Sequence, residues 1–236
     1  MSGALAIFVK TPGRSALKTR LAAQTGQEYA EQWYRLAADA VASVVVGACQ
    51  ELGLTAYWAV AEAGAEDAWP GLPTIAQGEG GLGTRMARVH SELVRRHGFA
   101  MLIGADAPQL SVDAIGQATR WLAGSDASST AGGGTFQSPR FALGPAKDGG
   151  FWLFGGNQMV ALEAWTQVRY SHVDTARELL GSMHDLGAWL QLSALIDVDH
   201  AEDLACVQNA LLALPEATPE QYRLSQWMHT HQRDCP

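Results

Sequence analysis

Cationic residues are scarce in this chain: 16 lysines and arginines stand against 24 aspartates and glutamates, a formal charge of −8. That balance argues against a nucleic-acid polymer as partner, because gripping a phosphate backbone needs a basic face. A small phosphorylated ligand needs only a few local cations and stays open. Cysteine is scarcer still, at three residues. Cys49, Cys206 and Cys235 are widely spaced and form no CxxC pair, which argues against a disulfide framework or a zinc knuckle. Cys49 and Cys206 fall in helical patterns and read as small core hydrophobes. Long apolar runs are lacking: none approaches a membrane span, and the one near the start is too short for a signal peptide. A soluble, cytoplasmic protein without membrane association is expected. No Ser-His-Asp or Cys-His arrangement points to a covalent nucleophile.

What is present reads as one α/β domain, since 236 residues of even composition offer no second regime. Residues 4–9, Ala-Leu-Ala-Ile-Phe-Val, are a continuous apolar run fit for a buried first strand. Four cations then fall within eleven positions, Lys10, Arg14, Lys18 and Arg20, around a Pro-Gly loop that ends in a helix start near Lys18. A strand, a loop and a cationic helix start suit phosphate groups, although a solvated basic loop fits the same letters. The stretch is not a Walker A sequence.

The organising stretch is 99–109, Phe-Ala-Met-Leu-Ile-Gly-Ala-Asp-Ala-Pro-Gln. A buried strand stops at Gly104, Pro108 ends any ladder, and Asp106 is left at the carboxyl tip, where open α/β sheets place their ligands. Capping does not explain Asp106, because Ser111 is the better N-cap of the next helix. Glycines crowd residues 77–86, with Gly83 and Arg85 among them, before another helix; backbone without Cβ atoms can approach a flat ligand, or simply turn. In residues 141–155 two apolar runs flank Lys147, Asp148, Gly149 and Gly150, read either as a hairpin turn or as a site around Asp148.

The remaining expectations concern organisation. Helices are expected over 27–52, closed by Gly53, and over 112–122, 173–183 and 202–214. Strands are expected over 54–60 and 192–198, with loop at 61–73 and a glycine-bearing surface loop at 125–140. Four acids crowd the end of the last strand; Glu202 and Asp203 suit a helix first turn, which leaves Asp197 and Asp199 unexplained. Residues 1–214 form the domain and 215–236 a helical surface tail carrying Trp227, His229 and His231.

Five blocks in fixed order carry a family resemblance. They are Lys10 with Lys18-Thr19-Arg20-Leu21, the loop with Gly83, Arg85 and Met86, the Ile-Gly-Ala-Asp-Ala-Pro run, the Gly-Pro-Ala-Lys-Asp-Gly-Gly run and Asp-Val-Asp-His-Ala-Glu-Asp-Leu. Across residues 4–208 they resemble the arsenosugar-biosynthesis-type glycosyltransferases of the nucleotide-diphospho-sugar transferase (GT-A) superfamily. The first block is also similar to that of 2-phospho-L-lactate guanylyltransferases. The resemblance implies a single Rossmann-like GT-A domain with a mostly parallel mixed sheet flanked by helices. It implies an Mg²⁺ or Mn²⁺ ion held by Asp106 and Asp199, with Asp199 a better match than Asp197. It also places phosphate contacts at Lys10, Lys18 and Arg20. Three departures stand out: Ser15 replaces a family glycine, Tyr170-Ser171-His172 replaces Trp-Ser-Thr on the acceptor side, and the stretch before Gly144 is longer.

The residues and the resemblance together give the candidate site. Asp106, Asp148 and Lys18 are the expected catalytic groups. Lys10, Lys18, Thr19, Arg20, Gly83, Arg85, Gly149 and Gly150 are the expected nucleotide and phosphate contacts. The expected activity is sugar transfer from a nucleotide-sugar donor to a small-molecule acceptor. Nucleotidyl transfer with pyrophosphate release is the alternative, favoured by the four loop cations, and a non-catalytic nucleotide-binding protein is a third reading. Oligomeric state, a homo-oligomer included, is left open.

Overall fold

The computed structural model describes residues 2–124 and 138–231. The expected surface loop at 125–140 falls mostly outside the described residues, as does Cys235. Seven strands form one sheet: β1 (Ala4–Val9), β2 (Thr55–Val60), β3 (Thr74–Ala76), β4 (Ala100–Gly104), β5 (Arg140–Pro145), β6 (Phe151–Gly156) and β7 (Ala188–Gln191). Their order is β3-β2-β1-β4-β6-β5-β7, and only β6 runs against the others. The connection leaves β1 toward β2 and β3, then crosses to β4 on β1's other side. The crevice between the carboxyl ends of β1 and β4 is therefore the topological switch point, where such sheets bind ligands.

Both faces of the sheet are covered, which is why β1 reads as an unbroken apolar run. Leu5, Ile7 and Val9 face one helical layer, and Ala4 and Ala6 face the other. The first layer holds α1 (Thr19–Thr25), α2 (Gln27–Leu52), α4 (Val112–Leu122), α7 (Ala201–Leu212) and α8 (Pro219–His231). α2 buries Trp33, Val41 and Val45, and stops at Gly53, whose φ of 67° suits a residue without Cβ. α4 starts as read from the sequence: the Ala114 N–H donates to Ser111 Oγ at 3.2 Å. The second layer holds α3 (Leu82–His97), α5 (Leu162–Thr166) and α6 (Thr175–Met183), packed through Met86, Val89, Leu93, Trp165, Leu179 and Met183. His90 lies wholly buried here against Phe154 and Trp165, and burial pushes its imidazole down to about 4.

Several sequence expectations need correction. Residues 192–198 are not a strand; the strand is β7, just upstream, where Trp189 stacks on Phe141. Beyond it the chain keeps a single bridge, Ala146 to Leu195, and leaves the sheet. Apolar content alone could not separate the paired run from the departing one. Residues 74–76 form a short parallel strand beside β2, too brief to show a period. Cys206 is exposed rather than core and lies at the cleft that α7 borders. The helix expected over 173–183 is α6, which starts two residues later, and that expected over 202–214 is α7, which starts one residue earlier and ends two earlier. The hairpin reading of the Lys-Asp-Gly-Gly block is correct: β5 and β6 pair antiparallel around it. The tail helix α8 buries Leu224 and Met228 against α2, so it carries part of the core. No helix among the described residues is long and apolar enough to cross a membrane.

Candidate active site

Where β1 ends, the chain is held from three sides before it reaches α1. Tyr34 Oη of α2 accepts from the Lys10 N–H at 3.1 Å. Glu62 Oε2 accepts from the Thr11 N–H at 2.9 Å, and Trp69 Nε1 donates to Thr11 Oγ1 at 3.0 Å. Gln77 closes the strand ends from below, donating from Nε2 to the carbonyls of Val9 and Ala59 at 3.2 and 2.8 Å. The loop so anchored delivers Lys18, whose backbone sits in the left-handed region at φ 44°.

Lys18 meets three carboxylates. Its Nζ lies 2.8 Å from Asp106 Oδ2, 2.7 Å from Asp197 Oδ1 and 3.5 Å from Asp199 Oδ1. Its side chain is 6% exposed, whereas those of the three acids are 23–29% exposed on the cleft side. Arg20 Nη1 takes the other oxygen of Asp199 at 2.6 Å. Asp106 arrives from the tip of β4, as the sequence suggested. Asp197 and Asp199 arrive on the segment that leaves the sheet, tied down where Gln109 Nε2 donates to the Ile196 carbonyl at 2.7 Å. In an extended segment residues two apart point the same way, so both acids face Lys18 while Val198 between them is fully buried. Asp203 then fixes the turn, accepting from the Asp199 and His200 N–H groups at 3.0 and 2.8 Å.

The electrostatics follow from this crowding. Burial opposes the Lys18 charge, but Asp106 and Asp197 outweigh it and hold the amine above its usual range. Burial also penalises Asp106, yet Lys18 beside it keeps the carboxylate below its usual value. Asp197 goes the other way: burial and the charge of Asp106 push it up to about 8. Three carboxylates thus face two cations.

These groups form the floor of a cleft of about 860 Å³ at the β1–β4 crevice. Of the residues expected from sequence, Lys10, Lys18, Thr19, Arg20, Asp106, Asp148, Gly150 and Asp199 line it. Gly83, Arg85 and Gly149 are not brought to its wall. Gly83 is buried in the first turn of α3, where a Cβ would come within 2.6 Å of the Trp165 carbonyl. Arg85 Nε donates back to the Gly80 carbonyl at 2.9 Å. Gly149, at φ 91°, is pressed against Val173, with room for no Cβ. Asp148 Oδ1 accepts from the Gly150 N–H at 2.9 Å, which shapes the hairpin turn that forms the opposite lip.

Sequence reasoning ranked Asp197 behind Asp199 and missed Tyr34 and Gln77 at the cleft, whereas the Tyr170-Ser171-His172 run expected on the acceptor side does line its far wall. The Asp-Val-Asp alternation was the available signal for Asp197. Tyr34 and Gln77 act through contacts distant in sequence and left no local signature.

As a metal seat, the donor set of Asp106 and Asp199 consists of carboxylate oxygens, which suit hard divalent cations, and with Asp197 beside them the acids outnumber Lys18 and Arg20 three to two. A different trio, His172, Asp174 and Glu178, brings three ligating atoms within 4.8 Å of one another. There, however, Arg177 pairs with Asp174 at 2.8 Å and Arg169 pairs closely with Glu178, so the acids are already balanced.

The mixed sheet, its switch-point cleft and its flanking helices define a Rossmann-like nucleotidyltransferase-type fold. Within that class the chain belongs to the DUF2064 family, described as an uncharacterized protein conserved in bacteria, whose model matches residues 33–172. No curated protein matches it. Among solved structures it is similar to a Desulfovibrio desulfuricans G20 protein provisionally named a nucleotide-diphospho-sugar transferase. That match has 22% identity, covers 100% of this chain and 97% of the other, and has a TM-score of 0.80. It is also similar to CMP:2-keto-3-deoxy-manno-octonic acid synthetase complexed with CTP (11% identity, 90% and 99% covered, TM-score 0.51). A third likeness is to 4-diphosphocytidyl-2C-methyl-D-erythritol synthase from Anaerococcus prevotii DSM 20548 (10% identity, 89% and 96% covered, TM-score 0.51).

Proposed function

We propose that this chain is a metal-dependent transferase that uses an activated nucleotide, moving a sugar from a nucleotide-diphospho-sugar donor to a small acceptor. One observation carries the reading: the cationic loop after β1 and the carboxylate after β4 meet at the switch-point crevice, in a cleft large enough for a nucleotide and an attached group. The end-to-end likeness to the Desulfovibrio protein and the resemblance to arsenosugar-type glycosyltransferases support sugar transfer over its rival. Asp106 and Asp199 would hold Mg²⁺ or Mn²⁺, which when bound offsets the charge that grows on the phosphates as the donor bond breaks. Lys10, Lys18 and Arg20 hold the phosphates by charge-assisted hydrogen bonds. Asp148, its Oδ1 fixed by Gly150, turns its other oxygen to an acceptor hydroxyl, which it orients or deprotonates.

A second reading, nucleotidyl transfer with release of pyrophosphate, draws on the four loop cations and on the likeness to the CTP-bound synthetase. Two of those cations, Lys18 and Arg20, are engaged by carboxylates, and Arg14 is not among the residues lining the cleft. The cation count therefore weighs less than it did in the sequence. Thermal unfolding with Mg²⁺ and a panel of nucleotides and nucleotide-sugars tests the binding. A ligand at a hundred times its dissociation constant should add about 2.7 kcal/mol. Product analysis separates the reactions: pyrophosphate released from a nucleoside triphosphate would refute sugar transfer. A stabilising ligand without turnover in any donor and acceptor pairing would favour a binding protein.

A further inference from the structure

Asp199 has no uncommitted oxygen: Oδ1 faces Lys18 at 3.5 Å and Oδ2 faces Arg20 at 2.6 Å. Asp106 Oδ2 is likewise taken by Lys18 at 2.8 Å, and its Oδ1 is folded back over Gly104. Of the three N–H donors of the ammonium, two are taken by Asp106 and Asp197 at 2.8 and 2.7 Å, and the third carboxylate, Asp199, stands at ion-pair distance. The Trp33 ring, 5.9 Å away, lies near it as well. A left-handed backbone at a lysine is rarely adopted without constraint, and here it aims the side chain into the three acids. The carboxylates are thus held together by cations of the chain itself.

We propose that Lys18 and Arg20 are built-in counter-ions of this clamp and compete with a divalent cation for the same carboxylate oxygens. The proposal rests on the metal reading above and deepens it. In the free protein the clamp is filled from within, so a divalent cation arriving alone meets both occupied oxygens and like charge. A phosphorylated ligand changes the balance, because it offers the ammonium and the guanidinium oxygen atoms of equal charge. Metal and phosphates therefore enter together, and each draws the other in.

The test is Mn²⁺ binding, read from the free-ion electron paramagnetic resonance signal, with no nucleotide present. Arg20 is 58% exposed, so Arg20→Gln should fold, and it should bind Mn²⁺ severalfold more tightly than the unaltered chain. Lys18→Met should tighten binding about tenfold or more, as expected when a competing charge-assisted contact is removed. Both gains should vanish when Asp199→Asn is added. Lys147 lines the same cleft, and Lys147→Gln, which removes an equal charge from it, should change Mn²⁺ affinity by less than about twofold given screening in water. If Lys18→Met does not fold alone, millimolar Mn²⁺ should restore its circular dichroism; failure to do so overturns the proposal. Asp199-dependent binding that is equally tight in Arg20→Gln and the unaltered chain overturns the counter-ion role and leaves the metal reading standing. An equal gain from Lys147→Gln reduces the effect to bulk charge and also overturns it. Absence of Asp199-dependent Mn²⁺ binding in every variant, and with nucleotides added, removes the metal reading along with it.

Discussion

His90 should make this protein lose stability below neutral pH in a way that one substitution removes. Its imidazole is wholly buried in the second layer, with ring centroids 5.2 Å from Phe154 and 5.7 Å from Trp165. Burial disfavours the charged form and sets its pKa at about 4, against 6.5 in the unfolded chain. Because the folded value is the lower one, the unfolded chain binds the extra proton first. Stability is fully present above pH 6.5 and is lost as pH falls toward 4. At 1.36 kcal/mol per pKa unit, the loss between pH 7.5 and pH 5 from this group comes to about 2 kcal/mol. The perturbation is His90→Leu, which keeps the site apolar and cannot titrate. The substitution will itself cost packing energy, so the quantity to read is the difference in pH dependence between the two proteins. Urea unfolding at pH 7.5 and 5.0 supplies it, with unchanged m-values required for the comparison. The unaltered protein should lose about 2 kcal/mol more than His90→Leu over that interval. Equal losses would refute the reasoning and place the acid sensitivity in groups common to both proteins.

Three further outcomes follow from the same contacts. On the proposed metal reading, Asp106→Asn should cut metal-dependent turnover by about a hundredfold or more while circular dichroism shows the fold intact; full activity would reduce Asp106 to a strand terminator. Gly149→Ala should destabilise by more than about 1 kcal/mol, because φ is 91° and the new Cβ would fall 1.9 Å from the Val173 carbonyl, a change read directly as a lower melting temperature. Ser111→Ala should cost about 1 kcal/mol by removing the N-cap of α4, with nucleotide affinity unaffected.

Elements whose signal is local were legible in the sequence. β1, α2 and α4 have the bounds that apolar runs, Gly53 and Ser111 gave them, and Asp106 stands at the strand tip that Gly104 and Pro108 marked. What escaped depends on partners distant in the chain. β7 is defined by pairing with β5 and by Trp189 on Phe141, while the equally apolar stretch after it is drawn away to carry two acids to the site. Gly83 and Gly149 were counted among the nucleotide contacts, with a simple turn as the other reading, and their missing Cβ atoms make room for the Trp165 and Val173 carbonyls. A glycine records that something comes close; it does not say whether that neighbour is a ligand or the chain itself.

Backbone strain singles out the cleft without reference to any of these assignments. Among the described residues other than glycine, Lys18 and Ser171 alone have positive φ, at 44° and 58°. They stand 153 positions apart on different layers of the fold, and both line the same cleft. Such conformations cost of order 1 kcal/mol or more each and persist where the surroundings over-determine them. At Lys18 the determinant is visible: a loop pinned at Lys10 and Thr11 and an ammonium claimed by three carboxylates. At Ser171 it is the turn between Tyr170, whose hydroxyl donates to the Trp165 carbonyl at 2.9 Å, and His172, whose N–H donates to Thr175 Oγ1 at 3.1 Å. The fold thus accepts strain on both walls of one crevice, one wall carrying the charged groups and the other the Tyr-Ser-His run that departs from the resembled family.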